Sequence, residues 1–105
     1  MADRSRGASR IVVDRSHGAS EVWSRPAVKR AIERARRRLG LRLRQIREQK
    51  GLTQEAAAER AGVHAKHIGV IESGKANVTF ATLVALALAY DAPLEAFFEG
   101  MPPNR

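Results

Sequence analysis

The chain has 105 residues, no cysteine and a formal charge of +8. That length holds one small domain with flanking segments, and the absence of cysteine excludes a disulfide framework and a thiolate metal site. The basic balance favours a polyanionic partner, and the longest apolar run, Val78 to Tyr90, falls short of the ~20 residues that span a bilayer.

Residues 1–23 mix Ser, Gly, Arg and Asp around one short apolar run, Ile11-Val12-Val13, so a disordered arm is predicted. A helix begins near Ser24-Arg25-Pro26, because proline suits a first helical turn and the residue before it avoids helical angles. Val28, Ile32, Ala35, Leu39, Leu43 and Ile46 then recur at intervals of three or four, which carries one apolar face to Gln49. Gly40 interrupts that face at a cost of about 1 kcal/mol relative to alanine, which leaves open one long helix or two hinged there. The charge is concentrated in the same span: residues 25–50 hold eleven Lys or Arg against Glu33 and Glu48, whereas residues 51–105 are net acidic. Attraction to a polyanion must therefore come mostly from this basic segment.

From Gly51 to Lys75 the pattern is two short helices joined by a tight glycine turn. Thr53 is placed to cap the first helix, Glu55 suits the positive end of its dipole, and Gly62 supplies the left-handed residue that ends it. Ala58 and Ala61 are small where two helices must approach closely. Val63, Ile68 and Ile71 form an apolar stripe on the second helix, and Ala65, Lys66, Gly69 and Val70 occupy its opposite face. A further helix runs from a Thr79 cap to about Tyr90 and is apolar around most of its circumference. Phe80, Leu83, Ala87 and Tyr90 are expected in the core and Ala81, Ala85 and Leu88 outside it, a distribution that calls for a second layer. That layer is either a second copy of the chain or the N-terminal helix folding back. A short helix, Leu94–Glu99, closes the domain, and residues 101–105 are a frayed tail.

The sequence Leu39-Gly40, Leu43, Ile46, Arg47, Leu52-Thr53-Gln54, Ala58, Gly62, Ile68 and Ile71-Glu72-Ser73-Gly74-Lys75, continued by Leu83, Ala87, Leu94, Phe97 and Phe98, resembles the Cro/lambda-repressor-like (XRE) family of helix-turn-helix DNA-binding domains. His64, Ile68-Gly69, Ile71-Glu72, Gly74 and Asn77-Val78-Thr79 are most similar to the controller proteins of restriction-modification systems. The resemblance implies an all-α, compact five-helix helix-turn-helix domain over residues 39–100. It is preceded by a basic helical extension, 24–38, and the disordered arm, 1–23, and followed by the tail.

By that resemblance the helix over residues 64–73 enters the DNA major groove with Ala65, Lys66, Gly69 and Val70, and with His64 and His67 beside them. This helix lacks the Arg, Asn or Gln that make the strongest base-edge pairs, so shape and phosphate contacts are expected to contribute more than usual. Lys66 is its one long donor, and Ala65 or Val70 suits a thymine methyl. The resemblance also implies that Gln54 binds a phosphate and braces the reading helix, and that Lys75 and Asn77 touch backbone phosphates. Ala76 stands where the family often has arginine. Thr53 is a cap or a phosphate contact. Arg47 and Glu72 are implied to form a structural ion pair, whose disruption costs about 3 kcal/mol if buried. The arginines at 34, 36, 37, 38, 42 and 44 read either as a solvated helix face or as a phosphate clamp, with Arg37, Arg38, Arg42 and Arg44 the clamp candidates.

No metal site is expected of His64, His67 and His17, because no carboxylate or thiolate completes the set. No cofactor is expected. Paired carboxylates, a cysteine nucleophile and a phosphate-cradling glycine loop are missing, so the chain is not expected to be an enzyme. The reading that results is a cytoplasmic, nucleoid-associated transcriptional regulator, sequence-specific for double-stranded DNA and without membrane contact. It would be a homodimer through the last two helices around Leu88, Phe98 and Met101. The competing reading is an antitoxin-like interaction protein whose residues 1–30 hold a partner protein and whose DNA binding is autoregulatory.

Overall fold

The computed structural model describes residues 24–101. The predicted arm with Arg4, Arg6 and Arg10, His17, Trp23, most of the 1–30 partner segment and tail residues 102–105 lie outside the described residues. The chain divides into two units, residues 1–32 and 33–105. Of the first, residues 24–32 are described; from Pro26 they form the opening turns of the first helix, where the Lys29 amide donates to the Arg25 carbonyl at 2.9 Å.

The elements are α1 (Pro26–Gln49), α2 (Gln54–Ala61), α3 (Ala65–Glu72), α4 (Phe80–Tyr90) and a closing 3₁₀ helix (Leu94–Phe98). The described residues are thus all-helical, with four α-helices rather than the expected five. The last element is a 3₁₀ helix because Pro93 and Glu99, both extended, confine it to five residues. So short a segment favours the tighter i→i+3 bond, seen from the Ala96 amide to the Pro93 carbonyl at 2.9 Å. Gly40 is not a hinge, since helical backbone runs through it.

Local chemistry sets most element ends. The Thr53 hydroxyl accepts from the Ala56 amide at 3.0 Å, and Gly62, at φ 77°, ends α2 in the left-handed region. Thr79 repeats the device on α4, accepting from the Thr82 amide at 3.1 Å. Asp91 stops α4 at φ 50°, a conformation that Asp tolerates better than most residues.

Within residues 33–101 one core gathers Leu43 and Ile46 of α1, Leu52 of the turn before α2, Ala57 and Ala58 of α2, Ile68 and Ile71 of α3, and Leu83, Leu86, Ala87, Ala89 and Tyr90 of α4, closed by Phe97. Tyr90 and Phe97 meet edge to face at 6.3 Å between ring centroids. Phe80 departs from expectation: it is 70% exposed. Leu86 and Ala89 are buried with Leu83 and Tyr90, which rotates the core arc of α4 away from Phe80. Phe80, Val84 and Leu88, spaced i, i+4 and i+8, therefore share one exposed stripe.

Candidate nucleic-acid interface

The pose of α3 is set from behind, where α1 crosses its C-terminal end. A Cβ built on Gly40 would lie 2.6 Å from the carbonyl oxygens of both Ile71 and Glu72. Only a glycine lets the two backbones approach so closely. One turn earlier the contact continues, because a Cβ on Gly74 would meet the Arg37 Cα at 2.9 Å, and Gly74 also sits at φ 81°.

A buried polar network locks the same junction. Arg47 donates from Nε to Glu72 Oε2 at 2.6 Å, from Nη2 to Glu72 Oε1 at 3.1 Å and from Nη1 to the Leu52 carbonyl at 2.7 Å. Both side chains of the pair are almost wholly enclosed. The hydrogen bond to Glu72 outweighs desolvation and holds the Arg47 guanidinium above its ordinary pKa. Gln54 Nε2 donates to Glu72 Oε1 at 3.1 Å, so the network joins α1, the turn before α2, α2 itself and α3. The carboxylate only accepts, which fixes the Gln54 amide with its nitrogen toward Glu72. Behind this network the Tyr90 hydroxyl is buried with no hydrogen-bond partner among the described residues. Burial, aided by the Glu72 charge and opposed by Arg47, pushes the phenol up to about 12.

With Ile68, Ile71 and Glu72 buried, α3 turns Lys66 and Val70 to the outside, flanked by half-buried Ala65, His67 and Gly69. His64 is exposed and occupies the N-cap in an extended conformation, but its side chain makes no capping bond. Thr53 uses its oxygen as the α2 cap. Gln54 lies against Gly69: a Cβ there would sit 3.6–3.9 Å from the carboxamide, an ordinary contact distance. Gly69 has no left-handed φ, so neither conformation nor internal crowding calls for glycine, which destabilises a helix interior by about 1 kcal/mol relative to alanine. By the family resemblance Gly69 is expected to face the groove together with Ala65, Lys66 and Val70.

The arginines of α1 do not form one surface. Arg36 donates from Nε and Nη2 to Asn77 Oδ1, at 2.9 Å from Nε, and Arg37 lies against Gly74, so both serve the loop that follows α3. On another side of the helix, Arg38 donates to the Gly100 carbonyl at 3.0 Å. Arg42 donates to the Ala96 carbonyl at 2.7 Å and to Glu99 at 2.6 Å. Arg44 pairs with Glu48 one turn on, both well exposed. The clamp expected of Arg37, Arg38, Arg42 and Arg44 is thus divided, because helical periodicity sends residues 38 and 42 toward the C-terminal segment. Lys75 and Asn77 are exposed, and the Asn77 side-chain oxygen is taken by Arg36. Sequence reasoning had no signal for the Arg36–Asn77 bond, which joins residues 41 positions apart.

Among the described residues no three metal-ligating side chains converge, and no helix is long and apolar enough to cross a membrane.

Residues 38–97 match the protein family described as "Helix-turn-helix domain". The chain belongs to that family. It is 41% identical over 59 residues to the HTH-type transcriptional regulator PuuR of Escherichia coli, a match covering 56% of this chain and 32% of the relative. The chain therefore spans about a third of that curated relative's length. Among solved structures, the restriction-modification controller protein C.AhdI from Aeromonas hydrophila superposes with a TM-score of 0.58 at 35% identity, covering 59% of this chain and 94% of the controller. An HTH_3 family transcriptional regulator from Vibrio cholerae gives a TM-score of 0.64 at 31% identity, over 68% of this chain and 40% of that protein. The α2–α3 pair is the helix-turn-helix, and α3 its second helix.

Proposed function

We propose that this protein is a sequence-specific DNA-binding transcriptional regulator that reads the major groove with α3. It would act as a homodimer on a pseudo-palindromic site with half-sites about one helical turn apart. The observation that carries this reading is the pose of α3. Its inner face is locked by Gly40 and by the Arg47–Glu72–Gln54 network, while Lys66 and Val70 point away from the protein. A helix so held presents its side chains without further ordering on binding.

Lys66 supplies the hydrogen-bond donor toward a guanine edge or a phosphate, with His64 and His67 beside it, and Ala65 and Val70 supply apolar contact. Phosphates on either side would be met by Thr53, Gln54, Lys75, the Asn77 amide, Arg37 and Arg44, and affinity should fall steeply with salt. Arg38 and Arg42 already bond to the C-terminal segment, so their part is to hold α1 to that segment. The homodimer would form on the stripe of Phe80, Val84 and Leu88, extended by Phe98 and the neighbourhood of Met101. A groove between α4 and the closing 3₁₀ helix, lined by Val84, Leu88, Pro93 and Leu94, continues that apolar face. Burying it would supplement the small core of a single copy.

The test is selection of bound duplexes from a random DNA pool. The wild-type chain should enrich a two-fold related motif. Lys66→Ala should then lose about 1–3 kcal/mol on that motif, and Gln54→Ala should weaken binding across sequences. Failure of the wild type to enrich any motif overturns the proposal.

A further inference from the structure

The loop that follows α3 is tied to α1 at two points of different kinds. One is backbone against backbone, where a Cβ on Gly74 would meet the Arg37 Cα at 2.9 Å. The other is a side-chain bond in which Arg36 donates from both Nε and Nη2 to a single oxygen, Asn77 Oδ1, at 2.9 Å from Nε. This pair is exposed, so it adds little to the stability of the fold. Its effect on the Asn77 carboxamide is larger. With the oxygen engaged twice the planar group is fixed against flipping, and its nitrogen stays on the branch away from Arg36. The N–H groups of that nitrogen donate to no described residue. An acceptor arriving at this loop therefore meets an amide already ordered, whereas a free asparagine would give up its side-chain rotation on binding. Donation from a cation into the amide oxygen also polarises the group and strengthens its N–H donors. Asn77 lies within residues 38–97, which match the family, and Arg36 lies before them.

We infer that Arg36 is a positioning residue for DNA binding: it orients Asn77 so that the carboxamide nitrogen donates to a backbone phosphate beside the half-site. The inference rests on the groove reading by α3 and the Asn77 phosphate contact proposed above. An amide nitrogen only donates, and the acceptor that duplex DNA presents along its outside is the phosphate oxygen. Arg36 acts through Asn77, by hydrogen bonding, and its own charge is not the contact.

The experiment measures binding of the full chain to the motif selected by the wild type, for Asn77→Ala, Arg36→Met, Arg36→Gln and the double variant Arg36→Met with Asn77→Ala. Each of Asn77→Ala and Arg36→Met should weaken binding about fivefold, and the double variant should be no more than about twofold weaker than Asn77→Ala. Arg36→Gln places an amide nitrogen as many bonds from Cα as the arginine Nε and carries no charge, so it should recover most of the loss. Both single variants should melt close to the wild type, since the bond removed is an exposed one. Replacing phosphates one at a time by neutral methylphosphonate should expose one position per half-site at which wild type, Asn77→Ala and Arg36→Met bind within about twofold of one another. Arg36→Gln as weak as Arg36→Met, or a further loss of about fivefold from Arg36→Met in the Asn77→Ala background, means that the charge acts on DNA directly and overturns the inference. Binding of Arg36→Met or of Asn77→Ala within about twofold of wild type overturns it as well. Each of these results leaves groove reading by α3 standing. A wild-type chain that selects no motif overturns that reading itself, and this inference with it.

Discussion

The back of α3 and the outer side of α4 are opposite cases of how a small helical domain treats a surface. Behind α3 the closest contacts are fixed pair by pair: Gly40 meets two carbonyls, and Arg47 satisfies a carboxylate and a peptide oxygen at once. Along α4, Phe80 and Leu88 stand 70% and 79% exposed with no polar group to orient them. The first surface specifies one geometry, because a buried charge or a close backbone contact admits no alternative. The second specifies only that apolar area should be covered, which many geometries satisfy. The proposed reading of DNA by α3 would need the first kind of surface behind that helix, and the proposed self-association would use the second.

The contrast is broken most directly by removing one partner of the buried pair. Arg47→Met leaves the Glu72 carboxylate enclosed with Gln54 alone, and urea denaturation should show a loss of about 4 kcal/mol. The double change Arg47→Met with Glu72→Leu should recover most of it. Gly40→Ala places a methyl 2.6 Å from two carbonyl oxygens and forces α1 off α3; the expected loss is about 2 kcal/mol, read in the same way. Tyr90→Phe should instead stabilise the domain by about 1 kcal/mol at neutral pH, because it deletes a buried hydroxyl without a partner. It should also alter the alkaline limb. The folded phenol titrates at about 12 against an ordinary 10.0, so the folded state holds its proton more tightly. That contribution is complete below pH 10 and is lost as pH rises from 10 through 12. A wild-type chain whose stability is flat over that window, or falls just as much in Tyr90→Phe, contradicts the burial of this hydroxyl. The smallest effect belongs to α4: Leu88→Ser should change the stability of a single copy by no more than about 0.5 kcal/mol. Sedimentation should nevertheless show loss of the proposed self-association, and an unchanged assembly state removes the α4 stripe from the proposed homodimer.

Which features were legible beforehand follows from how far their causes reach along the chain. Thr53, Gly62 and Thr79 each act on an amide or carbonyl within four residues, so the caps of α2 and α4 could be read from the residues themselves. The apolar intervals of α1 correctly placed Leu43 and Ile46 inside. Phe80 was misplaced because the buried arc of α4 depends on where α2 and the closing 3₁₀ helix press on it, and periodicity cannot separate faces in a helix apolar nearly all round. Gly40 looked like a possible hinge for a related reason: its demand comes from carbonyls about 30 positions later. The arginine run looked like one charged face, yet Arg36 and Arg42 are drawn in different directions by Asn77 and by Ala96 with Glu99.

The residue order by itself determined that the described chain is helical, where its short helices are capped, and that residues 51–75 form a helix-turn-helix, since capping bonds and apolar spacing act within a few positions. Folding in three dimensions decided which glycine is crowded and which is open, which arginines stay outward, and which side of α4 is left bare. Those properties belong to pairs of atoms distant in sequence, and they exist only once the helices have come together.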